Sequence, residues 1–296
     1  AARNNAGLGT NPNSVLLVSE DAHSSFVKCI RVMGLDTRNL VRIKTDNQGR
    51  MDINDLRNSL DKCSIENKKI FAIVATLGTT VRGAIDPIKE ISEICKQRNI
   101  WLHIDGSIGG IFAITSIPIE GLNNINQANS ITINPQKIIG ITKTSSLLLV
   151  SNMSTLENTF NTGLPYISSK ENIINRGEIG IQGSRPAEVI KLWLGLRFLG
   201  LNGIENILKS SIKRKDFFIK NISKNKFDIY SGPLHIVSFL PNKLEPKDSD
   251  AWTQTKVNEL INNNFMLSRP KFKGKYFLRV VMGNYNTKES HIEELL

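Results

Sequence analysis

Short apolar runs alternate with amphipathic stretches through the first half of the chain, and this alternation constrains the fold more than any other feature. Residues 15–18 form an apolar run closed by Ser19, Glu20 and Asp21, after which residues 24–33 take helical spacing until Gly34. The pattern then repeats. Residues 40–44, 70–76 and 100–104 read as strands, while 53–61 and 86–98 read as helices, the second with Pro87 at its start. Apolar strands separated by helices predict an α/β fold, a mostly parallel sheet with helices on both faces.

Two further strands, 130–133 and 146–150, bracket the segment NPQK. Residues 151–182 are polar, Asn-rich and weakly periodic, and read as a long loop over a site. A strong helix follows over 187–199, apolar at Val189, Ile190, Trp193, Leu194 and Leu196. Beyond Gly200 and Gly203 a second helix runs to about residue 222. The remainder alternates short strands with Asn- and Pro-rich turns, as a smaller C-terminal α+β domain would. The expected division is a large domain over 1–208 and a small one over 209–296, consistent with a length at which single cores begin to split. No apolar run approaches the roughly 18 residues of a membrane span, so no membrane partner is expected.

The 38 Lys and Arg outnumber the 27 Asp and Glu, for a net charge of +11. The basic residues are scattered and no nucleic-acid motif accompanies them, so nucleic acid is not an expected partner. The densest stretch, with Lys213, Arg214, Lys215 and Lys220 on a helix, reads as a solvated face. Cys29, Cys63 and Cys95 are odd in number and lack CxxC spacing, which fits a reducing, cytoplasmic setting. Residues 1–14 have no basic head and apolar core of a signal peptide, and read as the end of a helix entered midway.

Four clusters lie at or just beyond the carboxyl ends of expected strands, where open parallel sheets place their ligands: AHSS at 22–25, LGTTVRGAIDP at 77–87, WLHIDGSIGG at 101–110 and NPQK at 134–137. Asp105 ends an apolar strand, where a carboxylate is costly without a partner. It either caps the next helix or faces a cation such as a protonated pyridine nitrogen. His103 shares its strand face, but no third ligand stands at metal spacing, so no metal is expected and His103 reads as structural. Lys137 follows the turn at Pro135 and precedes Ile138 and Ile139. It is either a surface lysine or a partly desolvated amine able to form an imine.

With these residues the chain resembles the group II pyridoxal-phosphate-dependent amino-acid decarboxylases, the family of glutamate, aromatic amino-acid, cysteine sulfinate and diaminobutyrate decarboxylases. SEDAHSSFVKCIRVMGL, ATLGTTVRGAIDPI, WLHIDGSIGG, NPQK, GSRPAEVIKLWLGLRFLG and LRVVMGN follow the family's segments in order. The resemblance implies a fold-type-I large domain, a homodimer, pyridoxal 5'-phosphate as cofactor, and a carboxy-lyase that converts an L-amino acid to its amine and CO2. It implies that Lys137 carries the cofactor as a Schiff base, that Asp105 partners the ring nitrogen and that His23 stacks on the ring. Ser107 would lie under the ring, Thr80 beside cofactor and substrate, and Asn134 on the phosphate side.

The chain also departs from the family pattern. The Gly- and Ser-rich turn that cradles the phosphate would precede residue 1, so the N-terminal part of the large domain is expected to be missing. Gln136 replaces a histidine and cannot transfer a proton near neutral pH. The loop before Arg185 reads NIINRGEIGIQG and lacks the tyrosine that protonates the substrate carbon in many members; the nearest is Tyr166. Tyr166 and Arg185 are therefore the substrate-side candidates. A related pyridoxal enzyme, such as an aldehyde synthase or another lyase, and a catalytically degenerate dimer partner remain as alternatives.

Overall fold

Strands β1 (Ser14–Ser19), β3 (Lys69–Thr76) and β4 (Trp101–Gly106) are buried along nearly their whole length, which is what apolar runs without polar alternation require. They form the centre of a six-stranded sheet ordered β2-β1-β3-β4-β5-β6, with β2 at Leu40–Ile43, β5 at Ser130–Ile133 and β6 at Leu147–Val150. Pairing is parallel throughout except at β5 and β6, where the chain returns antiparallel and closes the edge. The computed structural model describes residues 1–143, 145–163 and 176–296.

The short helix α1 (Ala2–Asn5) and α2 (Ser25–Val32) pack on one side of the sheet. Helices α3 (Ile53–Ile65) and α4 (Ile88–Arg98) serve the other, and their buried Leu56, Leu60, Ile88 and Ile91 meet Ile73 and Ile104. Asp52 caps α3 by accepting from the Asp55 amide at 2.9 Å. That helix continues four residues beyond the expected stop at residue 61 because no Gly or Pro interrupts it before Asn67, which takes the left-handed conformation at φ 52°.

Two expectations are corrected. Residues 151–182 are not one loop: Ser154–Phe160 forms α5, anchored by the buried Leu156, and Arg176–Glu178 forms a single 3-10 turn. The two helices expected on either side of Gly200 are both present: α6 (Val189–Asn221) is two helical stretches joined across a kink at Gly200, whose φ 60° and ψ 176° are not helical. The second expectation concerned its basic stretch, which is not wholly solvated. Arg214 and Lys215 are buried, and the Arg214 guanidinium donates to the Met282 carbonyl at 2.9 Å.

Leu208 on α6 packs with the large-sheet core, whereas Phe218, ten residues on, packs with a second core. That second core lies against a three-stranded antiparallel sheet ordered β11-β8-β7, from β7 (Phe227–Ser231), β8 (Ile236–Pro241) and β11 (Leu278–Val281). Helices α7 (Ser249–Asn262) and α8 (Glu289–Leu295) and a two-stranded hairpin, β9 (Lys271–Phe272) with β10 (Lys275–Tyr276), complete the unit.

The two parts meet backbone to backbone. The Gly232 amide donates to the Arg82 carbonyl at 2.6 Å, and a Cβ at Gly232 would stand 2.3 Å from the Gly83 carbonyl oxygen. Only glycine permits this approach. We expect Gly232→Ala to destabilise the protein by about 1–3 kcal/mol, the usual range for forced overpacking. The check is the urea midpoint at unchanged slope; a midpoint equal to the parent's would mean that the two parts are not held by this contact.

Candidate active site

The strand order places a switch point between β1 and β3, because the chain leaves β1 toward β2 on one side and later returns to β3 on the other. Four sequence-predicted residues follow the carboxyl ends of the parallel strands around it. His23 lies just past β1, Thr80 past β3, Asp105 in the last turn of β4, and Lys137 past β5.

Asp105 is 9% exposed and pairs in register with Thr76 on one side and Thr132 on the other. Its Oδ1 accepts from the Ser107 amide at 3.1 Å, and no donor reaches Oδ2 among the described residues. The small residues after it are required by space. A Cβ at Gly109 would lie 2.6 Å from the Leu77 carbonyl oxygen, and one at Gly110 would lie 2.8 Å from Ile133. The turn can therefore fold tightly under the strand end and leave the carboxylate at the rim. His103 is held by its neighbour strand, with Nδ1 2.8 Å from Ser130 Oγ, and burial holds its pKa below the ordinary histidine value.

Lys137 ends a 3-10 turn over Pro135–Lys137 that is pinned on both sides. Asn134 Oδ1 accepts from Ser146 Oγ at 2.6 Å, Gln136 Oε1 accepts from the Ser145 amide, and Ile138 and Ile139 bury themselves in the core behind it. Lys137 keeps solvent contact along its length, yet burial around the amine holds its pKa below the ordinary lysine range. The Asp105 carboxylate opposes that shift and the Arg279 guanidinium adds to it. No carboxylate forms an ion pair with Lys137 within 4.0 Å among the described residues.

His23 is exposed, and its Nδ1 accepts from the Ser25 amide at 3.2 Å. A neutral ring in that position carries its proton on Nε2. Arg185 does not join the group. Its guanidinium donates to the Arg176 carbonyl at 2.7 Å and to the Gln182 carbonyl, so it holds its own loop together. Tyr166 lies outside the described residues.

Sequence reasoning missed two residues. Arg279 on β11 donates to the Thr80 carbonyl and, from Nε, to Ser268 Oγ at 2.8 Å, and it is the charge that presses on Lys137. Its signal was present in the alternation of β11, where Leu278 and Val280 are buried in the small core and Arg279 therefore points the other way. His235 is 2% exposed and packs 3.5 Å from where a Cβ of Gly283 would stand, a position that also touches Ile138. Burial, reinforced by Arg214, lowers its pKa to about 4, and its Nδ1 has no partner among the described residues. Nothing in the run PLHIV marks that histidine as special. Two clefts, of about 380 Å³ beside Arg50 and Tyr230 and about 740 Å³ between Thr115 and Asn126, lie away from Lys137.

An amine of lowered pKa, a carboxylate and an imidazole thus follow the strand ends of an open parallel sheet, the place where α/β folds of this kind bind their ligands. The pyridoxal-dependent decarboxylase conserved domain matches residues 4–239, and the chain belongs to that family, as the ordered segments implied. It is 32% identical to the acidic amino acid decarboxylase GADL1 of Xenopus tropicalis over 72% of this chain and 44% of that protein. It is 28% identical to the aromatic-L-amino-acid decarboxylase of Bacillus atrophaeus over 96% of this chain and 61% of that protein. The chain thus spans about half the length of these relatives. Among solved structures, Oryza sativa TDC with PLP and tryptamine superposes with a TM-score of 0.91 at 19% identity, covering 99% of this chain and 64% of that one. Mouse CSAD gives 0.86 at 24% identity, covering 99% and 65%. These likenesses establish the fold.

Because His235 is buried neutral, the unfolded chain takes up its proton more readily than the folded one as pH falls below about 6.5. The folded state should lose on the order of 3 kcal/mol between that pH and about 4. Burial raises the Asp21 carboxyl to about 6 and the Asp86 carboxyl to about 7, and both act in the opposite direction. The test is therefore the difference in denaturation midpoint between the parent and His235→Leu across this range. It should favour the variant increasingly toward pH 4, and a difference independent of pH would refute the assignment.

Proposed function

We propose that this chain carries the catalytic centre of a pyridoxal-phosphate-dependent amino-acid decarboxylase, releasing CO2 from an L-amino acid. The observation that carries the proposal is the placement of Lys137, with its lowered amine pKa, opposite the rim carboxylate of Asp105 on the adjacent strand. These residues fit the cofactor by the chemistry of their donors. A depressed amine is nucleophilic toward an aldehyde, and a carboxylate with one unengaged oxygen suits a protonated pyridine nitrogen. Pyridoxal phosphate, when bound, supplies a conjugated ring that accepts the electron pair left by the departing carboxylate.

Lys137 would hold the cofactor through its amine. Asp105 would keep the ring nitrogen protonated, and the Ser107 amide that binds its Oδ1 orients it for this. His23 would cover the ring face in the orientation set by Ser25. Ser107 and Thr80 would border the ring, and Asn134 would hold the turn on the phosphate side, where Ser146 already fixes it. Arg279, a half-buried cation beside the Lys137 amine, is the group suited to an anionic substrate oxygen. Gln136, engaged with the Ser145 amide, can accept or donate a hydrogen bond but cannot move a proton.

The relatives are named as decarboxylases of acidic and of aromatic amino acids, so substrate specificity is carried by residues that vary between them. Neither the aldehyde-synthase reading nor the degenerate-partner reading is favoured by any feature of the site. A homodimer is supported by the start of α6, where Trp193 is 59% and Phe198 89% exposed beside Val189, Ile190 and Leu194. Three free cysteines support a reducing, cytoplasmic compartment. Among the described residues no helix is long and apolar enough to cross a membrane.

Borohydride reduction in the presence of pyridoxal phosphate should fix a phosphopyridoxyl group on the peptide containing Lys137, and Lys137→Ala should abolish that label. Asp105→Asn should retain the label but lower CO2 release on the order of 10²–10³-fold, as expected for loss of a preorganised charge at the reacting centre. Label spread over surface lysines, or ammonia and hydrogen peroxide appearing in step with product, would overturn the proposal.

A further inference from the structure

The Thr80 turn is bound directly to the small domain. Three successive carbonyls accept from it: Thr80 from Arg279, Val81 from Ser238 Oγ and Arg82 from the Gly232 amide. The Arg82 side chain then runs back across the switch point. Its Nη2 donates to Asp21 Oδ2 at 3.1 Å, and Asp21 stands two residues before His23. Arg82 and Asp21 are 6% and 5% exposed. The guanidinium carbon lies 4.6 Å from the ring centre of Phe272, on the β9–β10 hairpin, and a Cβ at Gly49 would stand 2.7 Å from it. The same hairpin reaches the His23 turn directly, because Lys273 pairs with Glu20 at 3.0 Å.

A buried ion pair is weak support for stability, since removing two ions from water costs about what their attraction returns. This one is poorly satisfied, with Arg82 Nε and Asp21 Oδ1 lacking partners among the described residues. An apolar pair of the same volume would hold the core as well. What such a pair would not supply is direction: one hydrogen bond between turns that flank the switch point sets their separation.

We infer that Asp21 and Arg82 are positioning residues that fix the His23 turn relative to the Thr80 turn and transmit the seating of the small domain to His23. This inference rests on the decarboxylase reading for its consequence, since His23 and Thr80 are there assigned to the cofactor. The geometry itself does not depend on it. Neither residue touches the reacting atoms. Around the pair, Glu20 and Lys273 face Asp21, and Asp86 lies behind it.

The test compares Arg82→Met, Arg82→Lys and the double variant Asp21→Leu with Arg82→Met. Amide exchange by mass spectrometry is read over 19–25 and, as a remote control, over 53–65. We expect Arg82→Met and the double variant to exchange faster over 19–25 while 53–65 is unchanged, with Arg82→Lys intermediate. In the full-length, cofactor-loaded enzyme, kcat should fall on the order of ten- to hundredfold with a smaller change in KM, the size expected from displaced reacting groups. The double variant should regain the thermal midpoint of the parent but not its kcat. A double variant that recovers parental exchange and kcat, or acceleration spread equally over both segments, would show the pair to be structural only. Should the parent fail to take label on Lys137, the decarboxylase reading falls, yet the exchange measurement still decides the positioning role.

Discussion

The central strands of the large sheet are covered on both faces, and this burial dictates where chemistry can occur. Val15, Leu17, Ile73 and Ile104 meet no solvent, so a charged group on β1, β3 or β4 could be accommodated only where the strand stops. Asp105 is at such a stop, and so, one turn further on, are His23, Thr80 and Lys137. The sheet therefore gathers an acid, an amine and an imidazole at one edge without any of them being close in sequence. Parallel pairing is what aligns those ends; an antiparallel return, as at β6, delivers its carboxyl end to the opposite edge.

The C-terminal part, with its small antiparallel sheet, completes this edge rather than merely standing beside it. Leu234, fully buried, fills the space above Gly78 and Gly109, where any added Cβ would collide with it or come within van der Waals range. Arg279 reaches across to the Thr80 carbonyl and places a cation near the Lys137 amine. Gly78, against Leu234, and Gly232, against the Gly83 carbonyl, are the sites where the two parts approach more closely than a side chain allows. Their value is in proximity, since the turn that bears Thr80 gets its shape from both parts at once.

Electrostatic cost is concentrated in the same region. Asp86 is buried beneath the Thr80 turn and accepts from the Met51 and Thr76 amides, each at 2.7 Å, while burial still pushes its carboxyl up to about 7. Burial likewise pushes the Asp21 carboxyl up and the His235 imidazole down, and Arg82 is buried against Asp21. A chain under selection for stability alone would be expected to replace these groups with apolar ones. Their clustering around the turns carrying His23, Thr80 and Lys137 fits a region shaped for chemistry.

The sequence by itself determined the order of strands and helices, the parallel character of the sheet and the four strand-end clusters, because burial on both faces forces unbroken apolar runs and glycine-rich turns that are local and visible. It also carried the family, through motifs whose spacing depends only on neighbouring residues. The tertiary structure alone decided which distant groups meet. Arg279 stands 142 positions after Lys137 in the sequence yet presses on its amine, and Arg82 finds Asp21 across 61 positions. It also decided that Arg214 and Lys215 are buried and that Trp193 and Phe198 are exposed, against their residue types. Helical periodicity shows that one face of α6 is apolar, but not what lies against it. That depends on the packing of elements far apart in the chain, for which a single sequence holds no local signal.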